Sequence, residues 1–162
     1  MTALIKTVAI VGAGTMGHAL AQVFVQGGYA VRLADIDEAI LAKARRMIAS
    51  NLKTLAETGC FPADAIPAAL GRIRTTTRVE EAGREADFVI EAVIEDIDIK
   101  KDLFKTLDRV CPAHAILASN TSYLNIFGFV ETNRPDKILI THWFAPPHIV
   151  PLVEIVCGPQ TA

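Results

Sequence analysis

The 162-residue sequence predicts an α/β domain built on a doubly wound, mostly parallel sheet. Three observations carry that expectation. Short, dominantly apolar runs at 8–11, 30–34 and 88–93, the last two interrupted only by Arg32 and Glu91, read as strands buried on both faces rather than on one. Segments with apolar residues at helical spacing alternate with them, and Gly or Cys-Pro punctuates the changeovers. Strands joined through helices pair in parallel by right-handed crossovers, which puts helices on both faces.

"KTVAIVGAGTMG" opens with the run at 8–11, a strand that Gly12 stops. Over 15–26 the apolar positions Met16, Leu20, Val23 and Phe24 recur at helical spacing, and Gly27-Gly28 supplies the left-handed residue that ends a helix. A second buried strand at 30–34 ends at Asp35. Asp37 then caps a long helix running to Glu57, with an inner stripe of Leu41, Ala44, Ile48, Leu52 and Leu55. Between Gly59 and Arg84 the pattern loosens: Phe61-Pro62 and Ile66-Pro67 interrupt it, a short helix follows, and 73–77 has the β-branched content of a strand. "DFVIEAVIED" reads as a strand through Val93, and Ile99, Leu103, Leu107 and Val110 mark a helix that Cys111-Pro112 terminates. "AILASNTS" is a strand running into a polar loop. A short helix at 123–130, a sixth strand at 137–141 and a final strand at 151–156 complete one domain over 1–162. The direction of the final strand is open; antiparallel pairing with the sixth would bring their side chains together.

A 51% hydrophobic content and a mean hydropathy of +0.35 suit one compact core. Sixteen basic and eighteen acidic residues give a net charge of −2 with no like-charge run, so no footprint for nucleic acid or an anionic membrane is expected. No stretch reaches the roughly 20 apolar residues of a membrane span, and no basic region precedes a cleavable hydrophobic segment. A soluble, cytoplasmic protein is expected. Cys60, Cys111 and Cys157 are scattered and unclustered, which points to reduced thiols and no metal site.

Open sheets of this kind bind ligands beyond the carboxyl ends of their strands. The polar residues Asp35, Glu91, Glu95, Ser119 to Ser122 and His142 all fall there, while Glu154 lies inside a strand. Gly12, Gly14 and Gly17 follow a buried strand, open a helix and are answered by Asp35 at the end of the next strand, the full arrangement of a dinucleotide site. Gly12 permits the turn, Gly14 lets a pyrophosphate approach, and Gly17 lets helix and strand pack closely. The helix start at Thr15 and Met16 offers free N–H groups to the anion. Asp35 would accept from the ribose hydroxyls and repel a 2′-phosphate, which favours NAD over NADP. Arg32 is not read as a phosphate clamp, since Asp37 and Glu38 keep the neighbourhood acidic, and His18 reads as a surface residue.

Hydride transfer from a secondary alcohol needs a base for the hydroxyl proton, and histidine titrates near working pH. A carboxylate on the other ring nitrogen fixes the tautomer, and a nearby hydroxyl holds the substrate oxygen. His142 and Glu154 can supply the first two roles if their strands are antiparallel neighbours. A core histidine bonded to backbone, with a solvent-facing glutamate, fits the same spacing.

The stretches "VAIVGAGTMG", "VIEAVIEDIDIKKDLFKTLD", "ASNTSYL" and "HWFAPPHIVPLVEIV" together resemble, in order and at matching intervals, the Rossmann-like NAD-binding domain of the L-3-hydroxyacyl-CoA dehydrogenase family. The resemblance covers essentially the whole chain. It implies an NAD-dependent, reversible oxidation of an L-3-hydroxyacyl-CoA to the 3-ketoacyl-CoA, as in fatty acid β-oxidation. By motif, His142 is the base, Glu154 its orienting carboxylate, and Ser122 the serine that touches substrate oxygen and nicotinamide. Ala92, Glu95, Lys100 and Asn120 fall on positions along the cofactor, although Lys100 also fits a solvated helix face, and Glu91 reads as the end of a strand in a wet crevice. His148 has no assigned role.

Two departures stand out. Ala145 occupies a position where the family usually has an asparagine at the nicotinamide end of the cofactor. Family enzymes also continue into a helical domain carrying substrate contacts, a further catalytic asparagine and most of a homodimer interface, so the chain is expected to be the cofactor-binding half. The helix at 37–57 resembles the family's projecting arm, which lies along the acyl-CoA. Two other readings stay open: a dehydrogenase of a free 3-hydroxy acid, as in the λ-crystallin-like branch that acts on L-gulonate, and a non-catalytic NAD-binding module. A binding module needs the glycines and Asp35 but has no use for an oriented base.

Overall fold

The computed structural model of the protein describes residues 5–162. Seven strands, β1 (Thr7–Val11), β2 (Ala30–Ala34), β3 (Ile73–Thr76), β4 (Phe88–Glu91), β5 (Ile116–Ser119), β6 (Ile138–Trp143) and β7 (Val153–Cys157), form one sheet in the order β3-β2-β1-β4-β5-β6-β7. The first six run parallel, and β7 pairs antiparallel with β6. Five helices connect them: α1 (Thr15–Gln26), α2 (Glu38–Glu57), α3 (Ile66–Gly71), α4 (Val79–Gly83) and α5 (Ile97–Val110). Chain order reverses between β1 and β4, so the crevice of such a sheet opens above those two strands.

Burial follows from the two-period alternation of a strand covered on both sides. Val8 and Ile10 of β1 enter a core with Leu20 and Ile48 from α1 and α2, whereas Ala9 and Val11 enter a second core with Phe104 and Leu107 from α5. α1 occupies the expected residues, and Gly28 beyond its end has φ +86°, a value only glycine adopts without strain. In α2 the Asp37 carboxylate caps the first turn by accepting from the Ala39 N–H at 2.7 Å.

Four expectations are corrected. β4 ends at Glu91, not Val93, because the Glu91 carboxylate accepts the Val93 N–H at 2.8 Å and bends the chain out of the ladder. The segment 123–130 is not a helix but a single 3-10 turn at Ile126–Gly128, because the Thr121 hydroxyl takes the Tyr123 and Leu124 N–H groups. α5 keeps Leu107 of the expected stripe in the core with Leu103 and Val110 packed against it, but it also buries Lys100 and Phe104 and leaves Ile99 45% exposed. The reason is electrostatic: Lys100 turns inward to Glu91. Finally, α4 was not anticipated, having no apolar stripe of its own.

Arg134 closes the C-terminal end of α5. Its guanidinium donates to the carbonyl oxygens of Pro112 at 2.5 Å and Asp108 at 2.7 Å, and to the Asp108 carboxylate at 3.0 Å, satisfying groups the helix leaves orphaned. Burial alone would raise the Asp108 carboxyl, but hydrogen bonds from Thr132, Asn133 and Arg134 outweigh it and hold the group below the usual carboxylate range. Cys111 is buried, which pushes its thiol up to about 11, so it is no nucleophile at neutral pH. Among the described residues no helix is long and apolar enough to cross a membrane, and no three His, Cys, Asp or Glu residues cluster as metal ligands.

Candidate active site

Three groups of residues lie toward the carboxyl ends of the parallel strands, two beside the β1–β4 crevice and one on β6 and β7. The first is the glycine turn. Gly12 sits at φ +96°, and its N–H donates to the Ala34 carbonyl at 2.8 Å, tying the end of β1 to β2. A Cβ on Gly12 would lie 2.5 Å from the Ala92 carbonyl oxygen, and one on Gly17 only 1.7 Å from the Gly12 carbonyl oxygen. Gly14 is different: a Cβ there meets nothing within 4 Å. Open space therefore faces the backbone at the start of α1, whose first turn has no side-chain cap and no acidic residue. Thr15 and Met16 begin that turn, as anticipated.

Asp35 lies at the end of β2, where one carboxylate oxygen accepts the Ala13 N–H at 2.7 Å and the other the Asp37 N–H at 3.3 Å. Beside it runs an apolar slot of about 400 Å³, lined by Asp35, Ile36, Ala92, Ile94, Ile99 and Leu103 among others. Ile36 is 92% and Ile94 67% exposed, an arrangement costly in water unless a flat apolar group covers them. An open backbone over a helix N-terminus, a strand-end carboxylate and an apolar slot fit pyrophosphate, ribose and adenine in that order. Substituting Gly14→Ala is expected to weaken NAD+ binding about tenfold by filling the anion's space, with little change in melting temperature; titration calorimetry and a thermal melt check both arms.

His18 is not on the surface. It is 5% exposed, and its Nδ1 lies 2.7 Å from the Gly14 carbonyl oxygen, so it braces the turn from beneath. His148 lies close by; burial first, and the charge of His18 second, lower its pKa below the ordinary histidine value.

The second group is the histidine pair. β6 and β7 align His142 opposite Glu154, and the imidazole Nδ1 lies 2.8 Å from the carboxylate Oε2. The antiparallel pairing left open by the sequence is thus present, and the core-histidine alternative is not. A carboxylate at Nδ1 holds the proton there and leaves Nε2 as an acceptor. A cavity of about 530 Å³ beside the pair is lined by Thr121, Ser122, Leu124, His142, Glu154 and Cys157 among others. Asn120 fixes the geometry between strands: its side-chain oxygen accepts the Trp143 N–H at 3.1 Å, tying the loop after β5 to the residue after His142. Trp143 packs edge-on against Phe24 of α1, with ring centroids 6.0 Å apart.

The third group is buried. Glu91 has zero exposure and accepts from Lys100 Nζ at 2.5 Å and from the Ser119 hydroxyl at 2.6 Å. Lys100, 1% exposed, also reaches Glu95 at 3.3 Å, and Glu95 accepts the Thr121 hydroxyl and the Ser122 N–H. Glu91 therefore does not sit in a wet crevice, and Lys100 is neither solvated nor open to the slot. Ser119 and Thr121, expected only as polar residues at a strand end with no assigned role, are thus the hydroxyls that bind Glu91 and Glu95. Ala92 lies under the glycine turn, its N–H bonded to the Val11 carbonyl at 2.7 Å, and Ala145 is exposed.

A family model described as "3-hydroxyacyl-CoA dehydrogenase, NAD binding domain" matches residues 7–162. A peroxisomal fatty acid β-oxidation multifunctional protein of Oryza sativa is 38% identical over 98% of this chain and 22% of its own. A probable 3-hydroxybutyryl-CoA dehydrogenase of Bacillus subtilis is 37% identical over 98% of this chain and 55% of its own. The crystal structure of 3-hydroxybutyryl-CoA dehydrogenase from Escherichia coli superposes with a TM-score of 0.93 at 35% identity, covering 99% of this chain and 34% of that one. The chain thus spans about half the length of the Bacillus relative or less of the others. Glycine turn, strand-end acid and matching sheet agree with these likenesses, and the chain belongs to the 3-hydroxyacyl-CoA dehydrogenase family as its NAD-binding domain.

Proposed function

We propose that the protein containing this domain oxidises an L-3-hydroxyacyl-CoA reversibly to the 3-ketoacyl-CoA, with His142 as general base, Glu154 orienting it and Ser122 binding the substrate oxygen. The observation that carries this reading is the 2.8 Å His142–Glu154 contact on a cavity shared with Ser122. Bound NAD+ supplies the hydride acceptor. Everything else is the work of this chain's own side chains. His142 Nε2 takes the hydroxyl proton as the C3 hydride leaves, Glu154 stabilises the resulting imidazolium through Nδ1, and the Ser122 hydroxyl donates to the oxygen as it becomes a carbonyl. In the reverse direction His142 returns the proton. The Gly12–Gly17 turn, Thr15, Met16, Asp35, Ala92, Glu95 and Asn120 bind or frame the dinucleotide in this reading, and the names of the rice and Bacillus relatives support the thioester substrate. A cytoplasmic homodimer that meets neither nucleic acid nor membrane belongs to the same proposal.

A free 3-hydroxy acid is the second reading, because Pro146-Pro147 and the stretch Pro151–Glu154 after His142 also resemble the λ-crystallin-like branch. Comparing turnover of 3-hydroxybutyryl-CoA and L-gulonate by the full-length protein separates the two. The proposal expects kcat/KM on the thioester to exceed that on the sugar acid at least a hundredfold, and the reverse ratio would overturn it. Turnover of neither would favour a non-catalytic NAD-binding module.

A further inference from the structure

Lys100 and Glu91 are both sealed from solvent, and a buried ion pair adds little net stability over apolar side chains of similar volume. What they do is connect. The Glu91 carboxylate gathers the Val93 N–H, the Lys100 ammonium and the Ser119 hydroxyl, and its backbone carbonyl accepts the Asn120 N–H at 2.8 Å. Lys100 then lies between two carboxylates, buried Glu91 and the more open Glu95. Glu95 holds the loop that carries the serine, accepting from the Thr121 hydroxyl at 3.0 Å and from the Ser122 N–H at 3.1 Å. A continuous path of charge-assisted bonds runs from the β4 end through α5 to the Ser122 backbone.

We propose that Glu91 and Lys100 are positioning residues: the buried pair fixes Glu95 at the rim of the crevice, and Glu95 fixes Ser122 opposite His142. This rests on the role given to Ser122 above. Without the ammonium, Glu95 has no cation to hold it inward and turns to water, releasing the Ser122 loop. A loop residue displaced by about 1 Å costs on the order of 100-fold in turnover when it orients a reacting group.

The test pairs K100M with the double variant E91Q/K100M in the full-length protein. K100M leaves a buried carboxylate unpaired and is expected to lower the melting temperature by roughly 10 °C. The double variant removes both charges, keeps an amide oxygen to accept the Val93 N–H and an amide N–H to donate to the Ser119 hydroxyl oxygen, and is expected to recover most of that loss. It is not expected to recover turnover, which should stay at least about tenfold down in kcat at saturating NAD+. Amide exchange across 119–124 should accelerate in the same variant. Recovery of kcat and amide protection together with stability would reduce the pair to a structural role and overturn the proposal. Should the double variant fail to fold, E95Q must by itself loosen 119–124 and lower kcat at an unchanged melting temperature; full activity with full protection contradicts the inference. Turnover is read on whichever substrate the unaltered protein oxidises, and amide exchange needs none, so an error in the proposed activity registers separately.

Discussion

Turnover falls about 10²–10⁴-fold in H142Q, the range general acid–base catalysis contributes, while NAD+ affinity stays within twofold. Glutamine retains an amide that can donate to Glu154, so the β6–β7 edge keeps its cross-strand bond. It has no group able to take a proton near neutral pH. The cofactor's proposed frame lies mainly on the β1, β2 and β4 ends and the start of α1, at least two strands from β6, so binding does not depend on the imidazole. Single-turnover kinetics beside calorimetric NAD+ titration reads both. A loss of NAD+ affinity that matches the loss of turnover would make His142 a binding residue.

Gly17→Ala has the second largest effect and acts through the cofactor frame. The added methyl carbon would lie 1.7 Å from the Gly12 carbonyl oxygen and 3.5 Å from the Ile10 side chain. The nearer atom is backbone, held by the Gly12 N–H bond to Ala34, so no rotamer relieves the clash. α1 must move away from β1, disturbing the packing of Leu20 and Val25 as well as the open turn at Gly14. Overpacking of this kind costs about 1–3 kcal/mol, and a displaced turn loses the convergence of N–H groups on the anion. The expected result is a melting temperature lower by several degrees and NAD+ binding weakened at least about 100-fold. Gly14→Ala, which meets no protein atom, separates the two effects by weakening binding without destabilising. Equal melting temperatures for the two variants would contradict this account of the turn.

What the sequence shows and what it conceals divide along physical lines. Strands buried on both faces announce themselves as short, dominantly apolar runs, so β1 and β2 and the helix between them were legible almost to the residue. The glycine turn was legible because each of its constraints acts within a few positions. The inward turn of Lys100 on α5 was not, because its partner Glu91 is nine residues away. Side chains that intercept backbone donors, Glu91 at the end of β4 and Thr121 before 123–130, also defeat periodicity, since their bonds cost nothing in composition. His142 and Glu154 sat between these cases. Their spacing across Pro146-Pro147 admitted the pairing, but only the β6–β7 register brings Nδ1 to Oε2. His18 was misplaced because one polar residue in the first turn of an amphipathic helix gives no sign of which way it faces.

The most direct test is a crystal structure of the full-length protein with NAD+ and a 3-ketoacyl-CoA. The account predicts His142 Nε2 within about 3 Å of the keto oxygen, Nδ1 still on Glu154 and the Ser122 hydroxyl on the same oxygen. An imidazole turned away from that oxygen, with another side chain in its place, would contradict it.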